Sequence, residues 1–179
     1  CEPLLTKNIN DYIKFIRTEL PKVNIDMVSN GDVITKKNFK KVLENLFSSG
    51  LNTIRLSLYD GPHQVDYFQD IKKQLKLNDD QLITRKRYLG PEESFGITLC
   101  NRAGSVNLKK GNLDIKPLET SLNKACYIPF HKMLIDYDGT VLMCANDWKK
   151  QNPLGNIKYE SIIDIWCNEI SQKTRVRLM

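Results

Sequence analysis

The order of apolar periods predicts a parallel α/β fold followed by a small α+β unit. Two observations carry this. From residue 9 to residue 88, helical and strand periods alternate with short connections, the rhythm of βαβ units. After a loop-like tract, Asp138-Gly139 stands between two apolar runs, the strongest short hairpin signal.

Each element has its own reason. Ile9, Tyr12, Ile13, Ile16 and Leu20 recur with helical period, and Pro21 ends that helix. Val23 to Val28 alternates apolar and polar, as a strand does, and Ser29-Asn30-Gly31 turns the chain. A second helix is expected from Thr35 as N-cap, with Phe39, Val42, Leu43, Leu46 and Phe47 on one side and Gly50 at its C-terminal cap. Thr53 to Tyr59 is the next strand, closed by Asp60-Gly61-Pro62, and a third helix follows over Val65 to Leu75. Leu82 to Tyr88 and Phe95 to Cys100 supply one or two more strands.

The second half changes character. Residues 104 to 124 read as loop, with Gly104, Gly111, Asn112 and Pro117. Lys132 to Tyr137 and Thr140 to Cys144 form the arms of the hairpin. Ser161-Ile-Ile-Asp164 is a capping box opening a helix through Ile165 and Trp166. The expected division is 1–110 and 111–179.

Composition narrows the function classes. With 41% hydrophobic and 27% charged residues in 179, the chain is an ordinary globular one, neither a disordered tail nor a coiled coil. Its net charge of +6 comes from lysines and arginines scattered on helix faces, without the aromatic interleaving of a nucleic-acid strip. No nucleic-acid or membrane partner is expected. No apolar run approaches the ~20 residues of a membrane helix and no secretory leader pattern is present, so a cytoplasmic location is expected. The first residue is Cys1 and the last residues still read as helix, so the sequence is expected to be an internal piece of a longer protein.

Five cysteines (1, 100, 126, 144 and 167) with wide spacing argue against a secreted disulfide framework. They leave buried thiols or metal ligands. Cys126 and Cys144 bracket the hairpin, which would bring its ends near one another. They could be core thiols, half of a tetrahedral zinc site in a structural module, or iron–sulfur ligands. Cys100, at the end of an apolar strand, is expected to be a core thiol.

In a parallel sheet the functional positions lie at the C-terminal ends of strands. Three such ends are visible: Cys1-Glu2-Pro3, Ser29-Asn30-Gly31, and Ser57 to Asp60. Taken with Leu4-Leu5 and Leu56-Ser57-Leu58, these segments resemble the middle of a radical S-adenosylmethionine (SAM) enzyme barrel. Cys126, twelve residues, Gly139, four residues and Cys144 resemble the SPASM or twitch extension of that superfamily, as do Leu154-Gly155-Asn156 and Ser161 to Trp166. The likeness covers nearly the whole chain.

The resemblance implies a partial (β/α) barrel followed by a SPASM or twitch unit. It implies a 4Fe–4S cluster and SAM as cofactors, with SAM cleaved reductively to a 5′-deoxyadenosyl radical that abstracts a substrate hydrogen. Glu2 would hold the SAM methionyl ammonium by a charge-assisted hydrogen bond. Ser29 and Asn30 would lie near the methionine or ribose, and Ser57 would be a further SAM contact. Cys126 and Cys144 would be two ligands of an auxiliary 4Fe–4S cluster, which needs four. The three-cysteine motif of the SAM-cleaving cluster, Cys-x-x-x-Cys-x-x-Cys, does not occur in this sequence. In the family it lies upstream of the Glu-Pro segment, so the intact parent, not this piece, is expected to be the active enzyme. The implied partners are a peptide or small-molecule substrate and a reductant such as flavodoxin or ferredoxin.

Overall fold

The computed structural model describes residues 2–87 and 124–179. Two compact units divide the chain, residues 1–96 and 97–179. The expected strand over 95–100, the thiol of Cys100 and the expected division at 110/111 lie outside the described residues.

In the first unit, β1 (Asp26–Ser29), β2 (Thr53–Leu58) and β3 (Leu82–Lys86) form a parallel sheet in the order β1-β2-β3. The connections carry α2 (Phe39–Ser48) and α3 (Pro62–Gln74), and α1 (Ile9–Glu19) precedes β1. Strand β2 is central and buried at five of its six positions. That is the burial of a strand covered on both faces. Ile54, Leu56 and Leu58 form the core with Leu43 and Leu46 of α2, Phe68 and Ile71 of α3, and Leu82.

The boundaries depart from the expected ones for local reasons. Strand β1 starts at Asp26 rather than Val23, because the backbone before it is held by side chains. The Val23 carbonyl accepts from Arg17 at 2.8 Å, and the Ile25 amide donates to Asn52 Oδ1 at 2.9 Å. The strand also takes in Ser29, whose side chain alternates inward with Met27. Helix α2 starts at Phe39 rather than after Thr35. The Thr35 amide donates to Asn38 Oδ1 at 2.7 Å, and Asn38 Nδ2 donates to the Val33 carbonyl, so residues 35–38 close into a turn. Its end is as expected: Gly50 adopts φ +109, with the Gly50 and Leu51 amides returning to Phe47 and Leu46. Helix α3 starts three residues early because Pro62 occupies its first turn, where its missing N–H costs nothing. On α1 the buried stripe is narrower than the sequence period: Ile13 is buried and Ile9 half-buried, whereas Tyr12, Ile16 and Leu20 are exposed.

In the second unit, β4 (Leu134–Ile135), β5 (Thr140–Leu142) and β6 (Pro153–Asn156) form an antiparallel sheet. The hairpin turns where Asp138-Gly139 predicts, with Gly139 at φ +87. A Cβ at Gly139 would lie 2.8 Å from Asn156 Oδ1, so glycine also lets β6 approach. Val141, Leu154 and Ile165 make a small core beneath the sheet. Ser161 caps α4 (Ile162–Cys167) as expected, and Asn168 caps α5 (Glu169–Arg177) by accepting from the Ser171 amide. Arg175 lies 4.0 Å over the Trp166 ring and donates to the carbonyls of Trp166 and Pro129. It thereby ties α5 to the segment that follows Cys126. Among the described residues, no helix is long and apolar enough to cross a membrane.

Candidate functional site

Glu2 stands before the short 3-10 turn Pro3–Leu5 and accepts from the Leu4 amide at 3.1 Å. Ser29, the last residue of β1, is 3% exposed and donates its hydroxyl to Glu2 Oε1 at 2.7 Å. The Asn30 amide donates to Glu2 Oε2 at 2.9 Å. Ser29 Oγ in turn accepts from the Gly31 amide at 2.9 Å, so the turn after β1 is fixed from inside. Gly31, at φ +80, has no room for a side chain: a Cβ would sit 2.8 Å from the Phe68 ring.

Three of the sequence-predicted positions are therefore brought together at the C-terminal end of β1. A carboxylate has about four acceptor sites. Three of those on Glu2 are filled by Leu4, Ser29 and Asn30. One acceptor site on Oε2 is left, which fits a single N⁺–H donor such as an ammonium. Ser57 lies on the neighbouring strand, one residue beyond the partner of Ser29, and is buried at 6% exposure. It stands apart from the hydrogen bonds that hold Glu2. Asp60 is occupied as a helix-entry group, its amide and carboxylate exchanging hydrogen bonds of 2.9 Å with Gln64.

In the second unit Cys126, Cys144 and Cys167 are free thiols. Cys126 is half-buried, and its amide donates to the Leu178 carbonyl at 2.8 Å, which fixes it against the end of α5. Cys144 is exposed just beyond β5, and its Sγ accepts from the Asn146 amide at 3.4 Å. Among the described residues no group of three or more His, Cys, Asp or Glu is placed to hold a metal ion. The two hairpin cysteines have the right donor chemistry for an iron–sulfur cluster, but they account for two thiolates of the four required.

The loop that carries Cys144 is held by residues that the sequence did not single out. Asp147 is buried, and its carboxylate accepts from the Gln151 and Asn152 amides at 3.0 and 2.8 Å. The Gln151 amide above all holds this carboxyl below the usual range. Lys150 follows at φ +52, with its amide donating to the Asp147 carbonyl. Its ammonium lies 2.7 Å from both Asp136 and Asp138 and 4.7 Å over the Tyr137 ring. The hydrogen bonds to Asp136 and Asp138 raise the Lys150 pKa well above its usual value. Lys150, followed by the Thr140 amide, depresses Asp138, and Lys150, followed by the Tyr137 amide, depresses Asp136. No local pattern marks Lys150, twelve residues after Asp138, as the partner of these two acids.

With the fold and these sites described, comparison with known proteins shows what the chain is similar to. Residues 126–178 match the SPASM family, an iron–sulfur cluster-binding domain. The match covers the C-terminal part of the chain, and the remaining comparisons are likenesses over nearly its whole length. Over 168 residues it is 27% identical to an S-adenosyl-L-methionine-dependent 2-deoxy-scyllo-inosamine dehydrogenase from Niallia circulans, covering 94% of this chain. The crystal structure of BtrN in complex with AdoMet and 2-DOIA matches 99% of this chain and 63% of that one, with a TM-score of 0.73 and 24% identity. SeMet BtrN in an open conformation matches with a TM-score of 0.65 and 20% identity, covering 99% of this chain and 60% of that one. The chain spans 60% of the length of the curated dehydrogenase.

Proposed function

We propose that this chain is part of a radical SAM dehydrogenase or a closely similar enzyme acting on a small hydroxylated or amino-substituted ring. The carrying observation is the carboxylate of Glu2, fixed by Ser29 and Asn30 with one acceptor site left over. The 27% identity to a dehydrogenase of an inosamine supports a small molecule over a peptide as substrate. On this reading the three parallel strands are part of a (β/α) barrel, and the division between barrel and SPASM unit lies near residue 110.

When bound, SAM and its cluster would supply radical hydrogen-abstraction chemistry. The role of this chain is orientation. Glu2 accepts one N⁺–H of the SAM methionyl ammonium, a charge-assisted bond that fixes one end of the cofactor. Ser29 and the Asn30 amide hold the carboxylate in place, so it does not reorganise on binding. Ser57 borders the same rim from the next strand. Cys126 and Cys144 would supply two thiolates to an auxiliary 4Fe–4S cluster in the SPASM unit, which would add redox chemistry there. The three-cysteine motif of a SAM-cleaving cluster does not occur in this sequence, and a flavodoxin or ferredoxin is the fitting reductant.

The test is calorimetric titration of SAM into the intact protein and its Glu2→Gln variant. Loss of a charge-assisted hydrogen bond, about 1.5–3 kcal/mol, should weaken binding by roughly ten- to a hundredfold. Equal affinity would overturn the assignment of Glu2.

A further inference from the structure

We propose that Lys150 is a positioning residue for Cys144, pinning the far end of the Cys144 loop to the hairpin turn through Asp136 and Asp138. This rests on the reading of Cys144 as a cluster ligand.

The geometry carries the proposal. Cys144 leaves β5 as an exposed residue, and Lys150 stands six positions later at the end of the same loop. Between the loop and the hairpin lies a cleft of about 300 Å³, lined by Leu134, Asp136, Leu142, Ala145, Asp147 and Trp148. Lys150 reaches back to the turn that precedes β5, and its ammonium sits 2.7 Å from each of two carboxylates. Both ends of the loop are thus anchored to one hairpin, by chain connectivity at Leu142 and by charge at Lys150.

Lys150 closes the loop in the left-handed region at φ +52, with its amide donating to the Asp147 carbonyl at 3.1 Å. Asp147 completes the device from inside the loop, capping the amides of Gln151 and Asn152. A ligand loop closed in this way holds its thiolate in place before metal binds, which slows loss of the metal.

The experiment uses the intact protein, reconstituted anaerobically with iron and sulfide, as wild type, K150M, K150R, the double variant D136N/D138N, and C144A. Iron release to a chelator and amide hydrogen exchange are followed for each. The proposal expects K150M and D136N/D138N to speed both iron release and exchange at residues 147–152 by about threefold or more. Exchange in β5 and β6 should stay unchanged, and K150R should restore the wild-type rates. Unchanged iron release in K150M and in the double variant would overturn the proposal. So would a uniform rise in exchange across β5 and β6, which marks general destabilisation. C144A separates the two levels: full iron content in C144A overturns the ligand reading itself, whereas reduced iron in C144A with wild-type behaviour in K150M overturns only the role of Lys150.

Discussion

Ser29 donates its hydroxyl hydrogen to the Glu2 carboxylate at 2.7 Å, joining residues 27 positions apart at the C-terminal end of β1. The hydroxyl is buried and does two jobs, because it also accepts from the Gly31 amide. Removing it leaves a charged acceptor short of one donor. Ser29→Ala should therefore destabilise the protein by about 1–2 kcal/mol and weaken SAM binding in the same direction as Glu2→Gln. Thermal unfolding and calorimetric titration read the two effects separately. Unchanged values in both would contradict the arrangement described.

Gly31 is the backbone counterpart of that contact. At φ +80, with the Phe68 ring 2.8 Å from the position of a Cβ, an alanine meets both strain and a clash. Gly31→Ala should lower stability by about 1–3 kcal/mol, seen as a lower midpoint in thermal unfolding. Gly61 differs in kind: at φ +135 and ψ −177 it lies in a region essentially reserved for glycine, so backbone strain rather than a clash opposes alanine there.

Acidification should loosen the second unit. Asp136, Asp138 and Asp147 all have folded-state pKa values below the ordinary 3.8. A depressed carboxyl contributes stability that is present above the unfolded value and lost as pH falls through the folded one. Lys150 is shifted upward, so its contribution is present below the ordinary 10.5 and lost only as pH rises beyond it. Hydrogen exchange at residues 136–152 should therefore be flat, after correction for intrinsic rates, between about pH 5 and pH 9, and should accelerate below about pH 4. The effect should disappear in D136N/D138N except for the part due to Asp147. Acceleration beginning near pH 6 would point to a different group.

Much of this was legible in the sequence, and the limits are physical. The parallel sheet showed in the alternation of periods, because β2 and its two flanking helices are punctuated by Gly50 and Pro62. Ser29 and Asn30 stood out as turn residues at a strand end, and Glu2 was joined to them by the family resemblance. That they meet in one hydrogen-bonded cluster is a long-range fact. The start of β1 was misplaced because Arg17, far along α1, occupies the carbonyls of Val23 and Gly50. The start of α2 was misplaced because Asn38 competes with Thr35 for the capping turn, and neither side chain announces which backbone group it takes. Lys150 was invisible for the same reason: a lysine twelve residues after Asp138 carries no period and no local motif. Asn168, which caps α5, was hidden behind the helix that ends just before it.

The central claim is that the hairpin cysteines hold an iron–sulfur cluster, and iron content tests it most directly. The intact protein and its Cys126→Ala/Cys144→Ala variant should be reconstituted anaerobically, and iron and sulfide counted per chain. The account predicts that the variant loses about four irons and four sulfides, one 4Fe–4S cluster, while keeping any cluster bound elsewhere. Equal iron in the two proteins would contradict it and leave Cys126 and Cys144 as ordinary thiols.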